Sequence, residues 1–226
     1  MNDIKKKIAA LLAKAESTDN DFESELFLSK ANELMEKHQI NNLDLGIDDP
    51  ISDEEFMYGS SGIPSWKFSL LCVVSAFYGA TVAKSTMGRK TSVRLIGKQS
   101  ACITVELMFP YLLKQITKQA QKLRSDGYGN KLAQLKVRVS NSLYFRMHEI
   151  IRNRRKAVVQ NNIDTNNALV IKSELDLYLK TKYSNFVSVK SRGKIVSQAS
   201  QEAAKKIGLN LQTENKSKTL LLNKVT

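Results

Sequence analysis

The chain has few of the residues that cross-link small folds or bind metals. It contains only two cysteines, Cys72 and Cys102, and two histidines, His38 and His148, among 226 residues. The cysteines are too few and too far apart for a disulfide framework, and they form no CxxC pair of the kind that holds zinc. We therefore predict buried, hydrophobic cysteines, no metal site and no cofactor.

Long hydrophobic runs are also missing. The longest, residues 68–83, is interrupted by Ser75, Gly79 and Thr81 and is too short to cross a bilayer. The N-terminal segment has charges between its apolar residues and no small-residue cleavage site, which is not typical of a signal peptide. We predict a cytoplasmic protein without a membrane partner.

The usual catalytic motifs are absent as well. His148-Glu149 begins an HExxH-like string, but position 152 is Arg rather than the second histidine that a zinc protease needs. The chain contains no GxSxG, no phosphate-binding GxxxxGK[ST] and no GxGxxG. Its basic part has eight scattered carboxylates without a nuclease-like cluster. We therefore predict no catalytic residue and favour a non-enzyme, with an undetected nuclease or hydrolase as the second alternative.

What the chain does have is charge, and that charge is divided unevenly. Residues 1–62 carry six Lys against 14 Asp and Glu, a net charge of −8. Residues 63–226 carry 29 Lys and Arg against eight acids, a net charge of +21. With 42% hydrophobic residues the chain can also form a core. An acidic start followed by a strongly basic body indicates a polyanionic ligand, nucleic acid first, although a solvated Lys-rich surface gives the same composition.

Helical spacing of apolar residues predicts two N-terminal helices, over residues 2–16 and 22–38. The residues between them, STDND, are typical of turns and helix caps. So short a connection makes the helices antiparallel neighbours. We predict a helical hairpin over residues 1–40.

This hairpin resembles the N-terminal region of an uncharacterised family of bacteria and their phages, with the pattern KIxxLLxxAES followed by AxELMxKHxI. The chain matches it at Lys7, Ile8, Leu11, Leu12, Ala15, Glu16, Ser17, Ala31, Glu33, Leu34, Met35, Lys37, His38 and Ile40. A looser similarity continues around Trp66, the VRLIG segment and the IGLNL segment. The resemblance implies a bacterial or phage origin and an accessory role in DNA metabolism or host conflict. The family has no established activity, so it implies no catalytic residue.

Residues 41–64 follow with six acids and a Gly-Ser-Ser-Gly stretch, which predicts an acidic linker. An alternative is an acidic strap that folds against the basic body and competes with nucleic acid.

Residues 65–208 are predicted to form a basic α+β domain, and residues 209–226 a Lys- and Asn-rich tail. The pattern favours a β-hairpin over residues 81–85 and 91–97, and a strand over 185–190. Helices are expected over residues 66–79, 100–124, 142–159, 168–182 and 191–208. The predicted fold class is therefore α+β and mostly helical, with a helical hairpin followed by a small β-hairpin or sheet packed by helices.

The helix over residues 142–159 is the strongest functional candidate. Its apolar residues form one stripe, Asn141 and Ser142 are candidate caps, and Arg154 falls inside the stripe. The opposite side is cationic, as is one side of the β-hairpin. The predicted nucleic-acid-binding residues are Arg146, Arg152, Arg155, Lys156, Arg89, Lys90, Arg94 and Tyr128.

We predict backbone-dominated binding of nucleic acid, with DNA favoured over RNA. The first alternative is a protein-interaction module, for instance a phage protein that binds a host protein.

Overall fold

The computed structural model describes residues 2–18, 20–44, 49–56, 63–87, 90–161, 165–183 and 196–209. Within these ranges the elements are α1 (Asn2–Ser17), α2 (Asp21–Asp44), β1 (Ile51–Glu55), α3 (Ser65–Phe77), β2 (Ala80–Met87), β3 (Lys90–Lys98), α4 (Gln99–Ser125), α5 (Leu132–Asn161), α6 (Thr165–Lys182) and α7 (Gln198–Lys205). Helix dominates and the strands form a single small antiparallel sheet, which confirms the predicted fold class.

Helices α1 and α2 pack against each other through apolar residues that recur every three or four positions. The buried set comprises Ile8, Leu12, Ala15, Leu28, Ala31 and Met35. The Ser24 hydroxyl donates a hydrogen bond to the Ala15 carbonyl at 2.7 Å across the hairpin. Lys5 and Lys114 form ion pairs with Glu106 and Glu16, which link α1 to α4. The predicted hairpin is confirmed, and α2 continues beyond the predicted end at residue 38.

The sheet has the strand order β1-β3-β2, and both pairings are antiparallel. Gly79, at φ 84°, follows the end of α3 and turns the chain into β2, in the left-handed conformation that favours glycine. Gly97 on β3 lies opposite Ala80, and a Cβ at Gly97 would be 2.8 Å from the Ala80 Cβ. The close approach of β2 and β3 at this end of the sheet therefore requires glycine at position 97.

Helix α5 runs through the centre of the molecule, with α3, α4 and α7 packed around it. Its buried residues recur every four positions and form the spine of the core: Leu135, Val139, Leu143, Met147 and Ile151. This spacing places them along one side of the helix. The other side of α5 is left to solvent.

Helix α5 begins ten residues before the predicted start at residue 142, so the predicted caps were wrong. Asn141 and Ser142 lie inside the helix and are buried. The Ser142 hydroxyl lies 2.9 Å from the hydroxyl of Ser200 on α7. Because Leu135 and Val139 continue the four-residue spacing, the longer helix follows from the same apolar stripe.

The acidic segment 41–64 contains more regular structure than the predicted linker. Residues 51–55 form the edge strand β1, paired with β3. The Asp49 carboxylate accepts hydrogen bonds from the backbone N–H and the hydroxyl of Ser100, at 3.1 and 2.6 Å, at the start of α4. Acidic residues are poor strand formers, so composition alone favours a linker here. The neighbouring strand β3 supplies the backbone hydrogen-bonding partners of β1, and composition alone does not reveal such a neighbour.

The sheet is covered on both faces. Val93 and Leu95 of β3 point into the main core, whereas Ile96 points to the opposite face and is nevertheless completely buried. Asp53 of β1 is the direct cross-strand neighbour of Ile96 and receives hydrogen bonds from the end of α6 and from Tyr183. We infer that α6 covers this outer face.

The contacts of α6 also give its direction. Glu174 pairs with Lys98 at 2.9 Å, and Lys182 pairs with Asp53, which in turn binds Arg94. Lys98 lies at the end of β3, and Asp53 lies opposite the earlier residue Ile96. The later residue of α6 therefore contacts the earlier part of β3, so α6 runs antiparallel to β3 on the outer face of the sheet.

Helix α7 begins with a capping box, in which the side chains of Ser197 and Ser200 each bind the other residue's backbone N–H. It lies within the predicted 191–208 helix but is shorter. The predicted strand 185–190, the first five residues of that predicted helix and the tail from residue 210 lie outside the described residues. No helix in the described ranges combines the length and the hydrophobicity needed to cross a bilayer.

Candidate nucleic-acid interface

The outer face of α5 is a cationic stripe. At 100° per residue, with position 131 counted as the residue just before α5, positions 131, 138, 145, 149, 152 and 156 fall within about 60° of one another, on the side away from Leu143. All six are exposed. Four are cations, one is aromatic and one is acidic: Lys131, Arg138, Arg152, Lys156, Phe145 and Glu149. We call these six residues the α5 stripe.

The cations of the α5 stripe are not paired by the fold, a property that they share with other exposed cations such as Lys6 and Lys30, and what distinguishes them is their alignment along one side of a helix. The ion pairs among the described residues use Lys5, Arg94, Lys98, Lys114 and Lys182. Each of these cations lies outside α5. Within the described part of the chain, Lys131, Arg138, Arg152 and Lys156 have no carboxylate within ion-pair distance. Their positive charge therefore remains available to a ligand.

Phe145 lies in the middle of the α5 stripe and is 39% exposed. Arg138 and Arg152 are seven residues away on either side, about 10.5 Å along the helix axis. The ring of Tyr144 meets the Phe145 ring nearly at right angles, with centroids 5.6 Å apart. Tyr144 also packs against His148, at 4.5 Å between centroids. Tyr144 therefore supports the Phe145 ring from the side while part of that ring faces solvent.

Arg146 was predicted to contact phosphate, but in the structure it binds the end of α7. Its guanidinium donates hydrogen bonds to the carbonyls of Ala204, Lys205 and Ile207, at 3.1, 3.4 and 2.8 Å. A cation at a helix C-terminus satisfies carbonyl groups that have no partner within the helix. Arg146 therefore joins α5 to α7.

Arg94 was the second predicted contact that the structure engages elsewhere. Its Nε donates to Asp53 Oδ1 at 2.5 Å, and its Nη2 donates to the Asp53 backbone carbonyl at 2.6 Å. The second carboxylate oxygen of Asp53 accepts from Tyr178, Lys182 and Tyr183, at 3.1, 2.7 and 2.7 Å. We call these five residues the Asp53 cluster. It fixes α6 to the sheet and leaves Arg94 half-buried.

The Asp53 cluster also changes the acidity of its carboxyl group. Only 5% of the Asp53 side chain is exposed, and this burial by itself raises the pKa. The hydrogen bonds from Lys182, Tyr183, Arg94 and Tyr178 act in the opposite direction and prevail, so the pKa of Asp53 lies well below its ordinary value of 3.8. The buried carboxylate is therefore charged at neutral pH and does not act as a proton acceptor there.

The remaining predicted residues are distributed along the molecule. Tyr128 lies in the loop between α4 and α5 and is 57% exposed, near the Lys131 end of the α5 stripe. The backbone of Lys90 begins β3, but its side chain lies outside the described residues, as do Arg89 and the side chain of Arg155. Of the predicted residues, Arg152 and Lys156 lie together on the α5 stripe.

The described residues offer little for metal or thiol chemistry. No three His, Cys, Asp or Glu side chains among them are grouped closely enough to hold a metal ion. Burial raises the pKa of the Cys72 thiol to about 11. Burial, with the nearby charge of Glu106, raises that of Cys102 to about 12. Both thiols are therefore protonated at neutral pH and are poor nucleophiles there.

Sequence reasoning missed Lys131 and Arg138, and it missed the Asp53 cluster. The first two could have been predicted from the sequence. Extending the apolar stripe back to Leu135 lengthens the helix and places Arg138 on the same side as Arg152. The Asp53 cluster left no such signal. Its members come from three elements that are more than 40 residues apart in the chain.

A model of a protein family of unknown function (DUF2786) matches residues 3–42, which form most of α1 and α2. The match agrees with the resemblance of the hairpin to an uncharacterised family without an established activity. No curated protein and no solved structure matches the chain. The comparisons therefore describe the hairpin, and the function must be argued from the rest of the molecule.

Proposed function

We propose that the protein binds nucleic acid through the phosphate backbone, with the α5 stripe as the contact surface. The observation that carries this proposal is the set of unpaired cations at the start and along one side of a well-packed helix, namely Lys131, Arg138, Arg152 and Lys156. Unpaired Lys and Arg attract phosphates without needing a particular base sequence. A rigid helix also holds them in fixed relative positions.

The charge around α5 supports the same proposal. Residues 99–161 contain twelve Lys and Arg against three acids, which gives this part of the chain a net charge of +9. The acidic residues of the chain lie mostly before residue 63, and some of them are used inside the fold, as Asp49 and Asp53 show. Long-range attraction to a polyanion therefore concentrates on the helical body.

The biological setting of the proposal comes from the resemblance of the hairpin. We propose a non-enzymatic accessory protein of a bacterium or phage that acts in the cytoplasm, with DNA favoured over RNA as the ligand. The α5 stripe offers no groove-reading motif, so sequence-specific binding is not expected.

The test is fluorescence anisotropy with labelled DNA and RNA over a salt series. The variant combines Arg138→Glu, Arg152→Glu and Lys156→Glu. Its control, Lys6→Glu with Lys7→Glu and Lys30→Glu, changes net charge equally at exposed cations of the hairpin. We expect the logarithm of affinity to fall with the logarithm of salt by about 0.9 per phosphate contact. The α5 variant should weaken binding and flatten this slope far more than the control. Absence of binding to every nucleic acid at low salt would refute the proposal.

A second candidate function, protein binding by the hairpin, rests on one observation. Phe22 is 75% exposed and Leu26, one turn further along α2, is also exposed, beside Glu23 and Glu25. A pull-down partner that survives nuclease treatment and is lost on Phe22→Ser with Leu26→Ser would favour this function. A partner that is lost on nuclease treatment would favour nucleic acid.

A further inference from the structure

We infer that the α5 stripe is built for single-stranded nucleic acid, with Phe145 stacking on an unpaired base while Arg138 and Arg152 hold the backbone on either side. This inference rests on the proposed function and adds the class of nucleic acid. It starts from the position of Phe145. An exposed phenylalanine is common by itself, but this one lies between two unpaired cations on one line of the helix.

The side of α5 on which Phe145 lies does not belong to the buried core. The buried side is already filled by the spine residues such as Leu143 and Met147, both completely buried. A lysine or glutamate at position 145 would suit an ordinary solvent face. The aromatic ring, partly open to solvent and with Arg138 and Arg152 on either side along the helix, is instead suited to a ligand that carries both negative charge and flat apolar surfaces.

Nucleic acid has both properties, but only a single strand presents them together. In a duplex, each base face is covered by its neighbours in the stack, and the outside offers phosphates and base edges. In a single strand the base faces are accessible, and an aromatic side chain can stack on any of the bases. Phe145 therefore adds affinity for a single strand and little for a duplex.

The orientation of Phe145 favours stacking as well. Tyr144 packs edge to face with it, and Tyr144 is itself held against the core and against His148. A side chain that is already held in position loses less conformational freedom on binding. Tyr128, exposed near Lys131, offers a second aromatic surface towards the other end of the α5 stripe.

The test compares a labelled 20-nucleotide oligothymidine strand with a duplex of equal length, using the full-length protein. Stacking contributes about 1–3 kcal/mol per base, which corresponds to about fivefold to 150-fold in affinity. We expect Phe145→Leu to weaken single-strand binding at least about fivefold and to leave duplex binding nearly unchanged. Phe145→Trp should restore binding, and the fluorescence of the new tryptophan should be quenched by the strand beyond any change seen at Trp66 in the wild type.

The matched control is Phe22→Leu, which removes an exposed aromatic ring from the acidic hairpin. It should leave both affinities unchanged. Urea denaturation of each variant checks that folding is intact. If the wild type binds strand and duplex equally and Phe145→Leu changes neither, the inference is wrong while the proposed function stands. If the wild type binds neither at low salt, the proposed function itself is wrong.

Discussion

Two surfaces of the molecule are rich in cations, and they differ in what those cations meet. On the outer face of the sheet, Arg94, Lys98 and Lys182 each contact a carboxylate, and the contacts hold α6 in place. On the α5 stripe, the cations meet solvent. Equal charges in the sequence therefore have different consequences, since the first set is used by the fold and the second stays exposed. A basic composition therefore indicates a polyanion partner only if the cations that form ion pairs within the fold are left out of the count.

The largest effect is expected at the Asp53 cluster. Asp53→Asn removes the negative charge that Arg94 and Lys182 share and leaves these cations uncompensated beside the sheet. Because the charged hydrogen bonds of a buried carboxylate are lost while both cations keep contact with water, the free energy of unfolding should fall by about 1.5–3 kcal/mol. Urea denaturation measures the change. The control Glu174→Gln breaks a surface pair with Lys98 and should lower the free energy by less than about 1 kcal/mol. Equal, small losses in both variants would show that the Asp53 cluster does not hold α6.

The same carboxylate makes stability depend on pH. Because the folded pKa of Asp53 lies below its ordinary value of 3.8, the unfolded chain takes up this proton first as pH falls. The stabilisation by Asp53 is therefore complete well above pH 3.8 and is lost as pH falls below that value towards the folded pKa. Wild-type protein should lose more stability than Asp53→Asn between neutral pH and pH 3, in urea denaturation at each pH. If stability falls equally with pH in the two proteins, Asp53 is not the source of the pH dependence.

Substitutions of Arg146 and Arg152, two arginines of α5 that the sequence does not distinguish, should have smaller and different effects on stability and on DNA binding. Arg146→Gln removes the hydrogen bonds to the end of α7 and should lower the free energy of unfolding by about 1–2 kcal/mol, with little change in affinity for DNA. Arg152→Gln should leave stability nearly unchanged and reduce the salt slope of DNA binding by about 1. Urea denaturation and the anisotropy salt series measure both variants. If the Arg146→Gln protein is folded and loses as much affinity for DNA as Arg152→Gln does, Arg146 belongs to the interface.

The elements that sequence analysis placed well are those fixed by local pattern. The α1–α2 hairpin and the β2–β3 hairpin follow from apolar spacing, turn residues and short connections. Gly79 ends α3 as expected from its place after an apolar run. In each case the residues that decide the structure are close neighbours in the chain.

The features that sequence analysis missed depend on distant partners. β1 forms from residues with low strand propensity because β3 offers an edge and Arg94 offers a counter-charge to Asp53. Arg146 looks like a surface cation until the end of α7 is placed beside it. No pattern within the chain measures such distances, so the difference between cations paired by the fold and cations left exposed becomes visible only in three dimensions.

The smallest predicted effect lies within the α5 stripe itself, where Glu149 is the acidic member. Its carboxylate lies on the same side as Arg152 and Phe145, and it repels a phosphate backbone that follows the stripe. Two unit charges a few ångströms apart in water interact by about 1 kcal/mol, so Glu149→Gln should tighten binding of DNA about twofold to fivefold at low salt. The gain should disappear as salt screens the repulsion. The control Glu33→Gln removes the same charge from the exposed face of α2 and should change affinity little. If Glu149→Gln leaves low-salt affinity unchanged while Arg152→Gln reduces it, the phosphate backbone does not pass beside Glu149, and the line from Arg138 through Phe145 to Arg152 is not its path.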